Sequence, residues 1–240
     1  MFSTNHFIWI AISALIIITL SILSIKLRFS FKTSAFILFF ISVASELIKI
    51  MTNIIKYGDG YIIDPKAIPL HLCSIMIFVY IAFPFMKEGK FKEILKSFSA
   101  VIGLIGPLFA LLIPTEGVSF TSITIYQYFI YHSAMIYFSI YLIFTSQVNL
   151  KLKSYLANLI IIFSLSIIMI WVNSVLSIYE TNFFFIVQPP MENLPILNLN
   201  HGWHAYYFTL VAIGAFTITT AHLPSLIKQA LDYRKIKKYK

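Results

Sequence analysis

Cys73 is the only cysteine of a 240-residue chain, and His71 precedes it by two residues in Ile68-Pro69-Leu70-His71-Leu72-Cys73-Ser74-Ile75. A thiolate attacks esters readily once a neighbouring base takes its proton. The competing reading is a small apolar packing residue. If the stretch is helical, His71 is a poor partner, because two residues along a helix turn about 200° and point nearly opposite ways. His132, in a later apolar run, is the better base, and Asn173 or Asn182 can orient its ring or donate to an oxyanion. Glu46 and Lys49 can pair at i, i+3 inside another apolar run, where charge is costly and faces protein or a water-filled cavity. That pair reads equally as structural. His201 and His204, with His71, would make a zinc set, but no acidic ligand accompanies them and no metal is expected.

The elements that carry these residues are membrane spans. Hydrophobic residues make up 59% of the chain and charged residues 11%, and the mean hydropathy is +0.87. A soluble fold of this length exposes too large a shell to hide so much apolar surface. Continuous apolar runs of about 20 residues match a hydrocarbon core of ~30 Å and exclude the alternating pattern of a β-barrel. The expected fold is an all-α bundle of seven spans in one domain, at about 7–25, 33–55, 69–86, 94–113, 124–145, 154–179 and 201–223. The first run lacks a basic flank and a small-residue cleavage site, so it reads as a span rather than a removed signal peptide.

Charge then assigns the sides. Lys26, Arg28, Lys32, Lys87, Lys90, Lys92, Lys96, Lys151, Lys153 and the tail from Lys228 to Lys240 all fall on one side of an alternating seven-span chain. The positive-inside rule puts that side in the cytoplasm and the amino terminus outside. The net charge of +9 is thus topology and attraction to anionic lipid, not a nucleic-acid site. Usage rich in Ile, Phe, Lys, Tyr and Asn suits an AT-rich bacterial genome, and so a bacterial cell membrane.

With sides assigned, the unusual polar groups converge. Ser42, Glu46, Lys49 and Asn53 share one face of span two, and Gly58-Asp59-Gly60 signals a turn after it. Pro69 suits the first turn of span three and Pro84 bends its end. Small residues at Gly103 and Gly106 on span four permit close helix approach. His71, Cys73, His132, Asn173, His201 and His204 all fall in outer halves of spans. Polar groups at one depth most simply share a cavity, and the long connection from Glu180 to Asn200 can lie over its mouth.

These residues also carry a resemblance. Pro69-Leu70-His71-Leu72-Cys73, Gly103-Leu104-Ile105-Gly106 followed by Pro114, His132, Asn173, Thr181-Asn182-Phe183 and Gly202-Trp203-His204-Ala205-Tyr206-Tyr207 resemble the YwaF-type bacterial membrane proteins, relatives of the transmembrane protein 164 acyltransferases. The likeness runs from about span two to span seven. It implies transfer of fatty acyl chains between phospholipids, with Cys73 as nucleophile and His132 as base. Phe183 stands where that pattern leads one to expect tyrosine.

The expected function is an integral-membrane lipid acyltransferase or esterase that takes an acyl-lipid donor and a lyso-lipid acceptor, with no soluble cofactor. His71, Glu46, Lys49, Asn173, Asn182 and His204 would line or support the site. The alternative is a non-enzymatic binder or transporter of a small polar or amphipathic ligand in the same cavity. Against it, no pair of related halves with matching broken helices is visible.

Overall fold

The computed structural model describes residues 3–57, 60–115, 117–191 and 194–238. The Gly58-Asp59 turn and the end of the basic tail at Lys240 lie outside the described residues. Seven α-helices make the fold: α1 (Thr4–Lys26), α2 (Phe31–Thr52), α3 (Leu72–Ala82), α4 (Lys90–Leu112), α5 (Ile123–Phe144), α6 (Leu152–Val175) and α7 (Gly202–Lys238). A two-stranded antiparallel hairpin, β1 (Ile54–Tyr57) and β2 (Gly60–Ile63), follows α2, with Ile54 opposite Ile63 and Tyr57 opposite Gly60.

Local chemistry sets the helix ends. Ser3 and Ser30 cap α1 and α2 by accepting the amides of His6 and Thr33. α1 ends in a turn where Arg28 takes φ +49° and the amides of Arg28 and Phe29 reach back to Ile25 and Ser24. α5 ends the same way, with Ser146 at φ +56° and amides 146 and 147 reaching Ile143 and Leu142. Both are six-to-one and five-to-two closures of the last turn, built here without glycine.

α5 is the hub. It packs against α1, α2 and α4, while α6 and α7 pair with each other and meet the rest through α4. Phe129, Met135, Tyr137, Phe138 and Leu142 on α5 are fully buried. The outer helices instead expose large apolar side chains, such as Leu15, Phe40, Phe163, Trp171 and Phe216. Apolar side chains turned outward on long helices are what a lipid environment accepts and water does not. Five helices, α1, α2, α4, α6 and α7, are long and apolar enough to cross a membrane.

Two expected spans take another form. α5 has the length but carries Gln127, His132 and several tyrosines along its buried surface. α3 has only 11 residues, a rise of about 16 Å. The apolar stretch expected as a span from Pro69 is extended as far as His71, because Pro69 disfavours helix at Ile68 (ψ 137°) and His71 remains at φ −68°, ψ 151°. Pro84 follows the last turn. α7 departs in the other direction: it continues beyond the expected end near Leu223, through Pro224, to Lys238. The proline removes one hydrogen bond, and the good helix formers after it carry the helix on.

The two ends of the bundle differ in charge. At one end Tyr141 of α5 donates to the Phe29 carbonyl at 3.1 Å, and Lys92 and Lys96 of α4 lie over the Phe31 ring. An open cleft of about 630 Å³ at this end is lined by Lys96, Asn149, Lys151, Lys228 and Asp232 among others. So the α1–α2, α3–α4 and α5–α6 turns and the basic part of α7 lie together. At the other end the His6 ring bonds the Leu111 carbonyl, and Lys66 pairs with Glu180.

Glu88 is the counter-ion of the basic end. Lys92 donates to it at 2.7 Å and Lys96 at 3.4 Å. The hydrogen bond from Lys92, aided by attraction to both ammonium groups, holds the Glu88 carboxyl below its ordinary value. A carboxyl depressed in the fold contributes stability that is present above its unfolded value and is lost as the pH falls through the folded one. Glu88→Gln is therefore expected to lower the thermal midpoint of the detergent-purified protein at pH 7. The gap to wild type should close on acidification below the ordinary carboxylate range. An equal gap at pH 3 would contradict this assignment.

Candidate functional site

The site residues gather at the end opposite the basic cleft, around the start of α3. His71 is the N-cap of α3, and Cys73 sits in the first turn, half-buried. Because His71 lies outside the helix, the 200° separation expected between His71 and Cys73 does not apply. Its ring packs against Phe183 and Phe185, each 5.3 Å away.

α2 meets the start of α3 through charge. Lys49 Nζ lies 3.1 Å from Glu46 Oε1 and donates to Ser74 Oγ at 3.2 Å. The Glu46–Lys49 contact is an ion pair by distance but lacks hydrogen-bond geometry, and neither Glu46 oxygen has a hydrogen-bond partner among the described residues. Gln127 of α5 donates to Ser45 of α2. Lys49 thus joins Glu46 to Ser74, the residue after Cys73 in the first turn of α3.

α5 meets α3 through Tyr131, whose hydroxyl donates to the Cys73 carbonyl at 2.8 Å. The adjacent residue, His132, is turned away. Its Nδ1 lies 2.6 Å from the Tyr128 carbonyl, and its ring packs on Tyr128 and Tyr131. A carbonyl partner makes Nδ1 the protonated nitrogen and leaves Nε2 as the acceptor. No hydrogen bond joins the Cys73 thiol to a histidine among the described residues. The expected Cys73–His132 contact is absent because residues 131 and 132 differ by about 100° around α5, and packing turns Tyr131 to α3.

The asparagines hold backbone. Asn173 of α6 accepts the Phe183 amide at 2.8 Å and donates to the Phe183 carbonyl at 3.0 Å. Asn182 accepts the amides of Val187 and Gln188 and donates to the Gln188 carbonyl. From α7, Trp203 donates to the Ile186 carbonyl at 2.9 Å, and Tyr206 donates to the Phe185 carbonyl. These bonds fix a compact segment, with Phe184 and Phe185 at φ +60° and +54°, onto α6 and α7. Its Phe183 and Ile186 are buried and pack with Ile68, Leu70 and Ile75 from the approach to α3. The connection after α6 does cover the site, but as a packed cap rather than a rim over open space. His204 is exposed, with its ring against Trp203. His201 is also exposed, and no three metal-binding side chains converge among the described residues.

Sequence reading passed over Tyr131, Ser74 and Tyr80. The available signal was the density of tyrosine in buried apolar helices, where each hydroxyl needs a partner.

A bundle of long apolar helices with lipid-compatible outer faces and a buried polar cluster at one end is an integral membrane protein of the helical class. Within that class, residues 1–220 match the TMEM164 family, and the chain belongs to it. No curated protein and no solved structure matches the chain.

Asn173→Ala leaves the buried amide of Phe183 without a partner and its carbonyl with only the Ile186 amide, at a cost of about 1–3 kcal/mol. Amide hydrogen exchange across Phe183 to Gln188 should accelerate by roughly tenfold or more, at 1.4 kcal/mol per decade, while α4 and α5 stay protected. Unchanged exchange in the segment would show that Trp203 and Tyr206 hold it alone.

Proposed function

We propose that this TMEM164-family protein is a lipid acyltransferase or esterase that uses Cys73 as nucleophile and His132 as base. The observation that supports the reading is the Tyr131–Cys73 hydrogen bond. It brings the helix that bears the imidazole against the thiol-bearing turn at the level of both residues. The Nδ1 contact to Tyr128 leaves Nε2 of His132 free to take a proton. Rotation of the ring toward α3, on entry of a lipid ester, would complete the pair, since catalytic contacts often tighten only with substrate bound.

In this scheme the thiol proton passes to His132, and the thiolate attacks the ester carbonyl carbon. The carbon–oxygen bond to the departing lyso-lipid breaks, and that oxygen takes the proton from His132. A second lyso-lipid hydroxyl, or water, then gives its proton to His132 and attacks the thioester carbonyl carbon; the carbon–sulfur bond breaks, and the Cys73 thiolate takes the proton back from His132. Glu46 and Lys49 would meet the polar part of the lipid, with His71 beside them. Asn173 and Asn182 would act by holding the cap, and His204 would face the surrounding lipid.

The same reading sets the protein as one membrane domain. α3 with its extended approach and the central α5 complete seven crossings. The basic end faces the cytoplasm by the positive-inside rule, so Cys73 works near the outer leaflet of a bacterial cell membrane, where ester carbonyls lie.

The test is labelling of purified protein with an alkyne-tagged acyl electrophile, read by mass spectrometry of the Cys73 peptide. Cys73→Ala should abolish labelling and acyl transfer, and His132→Ala should slow labelling by about 100-fold or more. Full turnover in Cys73→Ala refutes the reading. Slow labelling unchanged by His132→Ala leaves a packing cysteine, and the non-enzymatic binder built on Glu46 and Lys49 then takes its place.

A further inference from the structure

Tyr80 is fully buried, and its hydroxyl has no hydrogen-bond partner among the described residues. A buried hydroxyl without a partner is costly, and this one lies so close to the α4 backbone that only glycine fits opposite it. A side chain at Gly103 of α4 would begin 2.6 Å from the Tyr80 hydroxyl and 2.8 Å from Ser139 Oγ. One at Gly106 would begin 4.0 Å from the Cys73 sulfur. Gly103 and Gly106 share a face of α4 at i, i+3, and Cys73 and Tyr80 share a face of α3 at i, i+7. Long side chains on a helix lean toward its N-terminus, which carries the Tyr80 hydroxyl back toward Cys73.

Ser139 cannot donate to Tyr80, because its hydroxyl is already directed to the carbonyls of Ser99 and Met135. The α3–α4 contact therefore sets the Cys73 sulfur against Gly106 and the unspent Tyr80 O–H donor against Gly103, three residues away on α4. Resting on the Cys73 reading above, we propose that the Tyr80 hydroxyl is the oxyanion donor for an acyl group on Cys73, with the bare Gly106 position beside the sulfur admitting the ester carbonyl.

When the thiolate forms the new carbon–sulfur bond, the carbonyl π electrons move to oxygen. Tyr80 donates a hydrogen bond to that oxygen and keeps its proton. Collapse restores the carbonyl and expels the lyso-lipid oxygen, which takes the proton held by His132. Tyr80 thereby stabilises charge that exists only during reaction, the most effective use of a preorganised donor.

The experiment compares two reactions of Cys73 in full-length protein reconstituted in nanodiscs. Acylation uses the p-nitrophenyl ester of an alkyne-tagged fatty acid and is read as a hydroxylamine-sensitive tag. Alkylation uses iodoacetamide, which passes through no oxyanion. Tyr80→Phe should slow acylation by about 100- to 1000-fold and leave alkylation at the wild-type rate. 3-Fluorotyrosine at position 80 should retain acylation. Equal acylation in Tyr80→Phe, or parallel loss of both reactions, overturns the donor role while the Cys73 reading stands. Wild-type protein that alkylates but never acylates overturns both, and so separates the two failures.

Discussion

A hydroxyl in hydrocarbon must find its acceptor inside the protein, because no water is there to accept instead. α5 concentrates such hydroxyls and directs them at its neighbours. Tyr128 bonds the Ala110 carbonyl of α4, Tyr131 the Cys73 carbonyl of α3, Tyr137 Ser34 of α2, and Tyr141 the Phe29 carbonyl in the α1–α2 turn. Each bond fixes the rotation and the height of one partner against α5. In a medium where apolar contact between helices has little driving force, directed bonds and close packing set the arrangement. The position of the thiol-bearing turn follows from the third of a helix that Tyr131 occupies.

The second constraint is the shortness of α3. Extended backbone at membrane depth is tolerated only where protein covers it. Here the cover is the segment after α6, clamped by Asn173, Trp203 and Tyr206 and packed through Phe183 and Ile186 on Ile68 and Leu70. The cap and the extended approach to α3 therefore depend on each other: the cap shields the chain around His71, and that chain gives the cap an apolar floor. Polar groups that look catalytic by type are consumed in this mutual support. Asn173 spends both N–H donors of its amide on the Met169 and Phe183 carbonyls and has none left for an oxyanion.

At the opposite end, buried cations replace buried hydroxyls. Lys92 and Lys96 are only 6% and 8% exposed. Glu88 and the Phe31 ring share their charge, which ties the α3–α4 turn to the beginning of α2. The basic end is thus held largely by ion pairs and cation–π contacts that water and salt can modulate, while at the other end buried neutral bonds stand beside the Glu46–Lys49 and Lys66–Glu180 pairs.

Much of this was written in the residues. Apolar runs of spanning length placed α1, α2, α4, α5 and α6 to within a few positions, since each run is a local property. Segregation of lysine and arginine marked the basic end, and the i, i+3 spacing of Glu46 and Lys49 marked their ion pair. The hairpin after Asn53 left a signal in Gly58-Asp59-Gly60 between apolar pairs, which reads equally as a loop. An apolar stretch from Ile68 to Met86 does not say where extended chain becomes helix, so α3 looked longer than it is. The sequence by itself thus determined the membrane class, the helix positions and the polar depth, because hydrophobicity and charge act residue by residue. Only the tertiary structure decided that Tyr131 rather than His132 meets α3, and that Tyr80 points its hydroxyl at a glycine face. Neighbouring residues on a helix differ by about 100°, and the rotation that chooses between them is set by packing against every other helix at once.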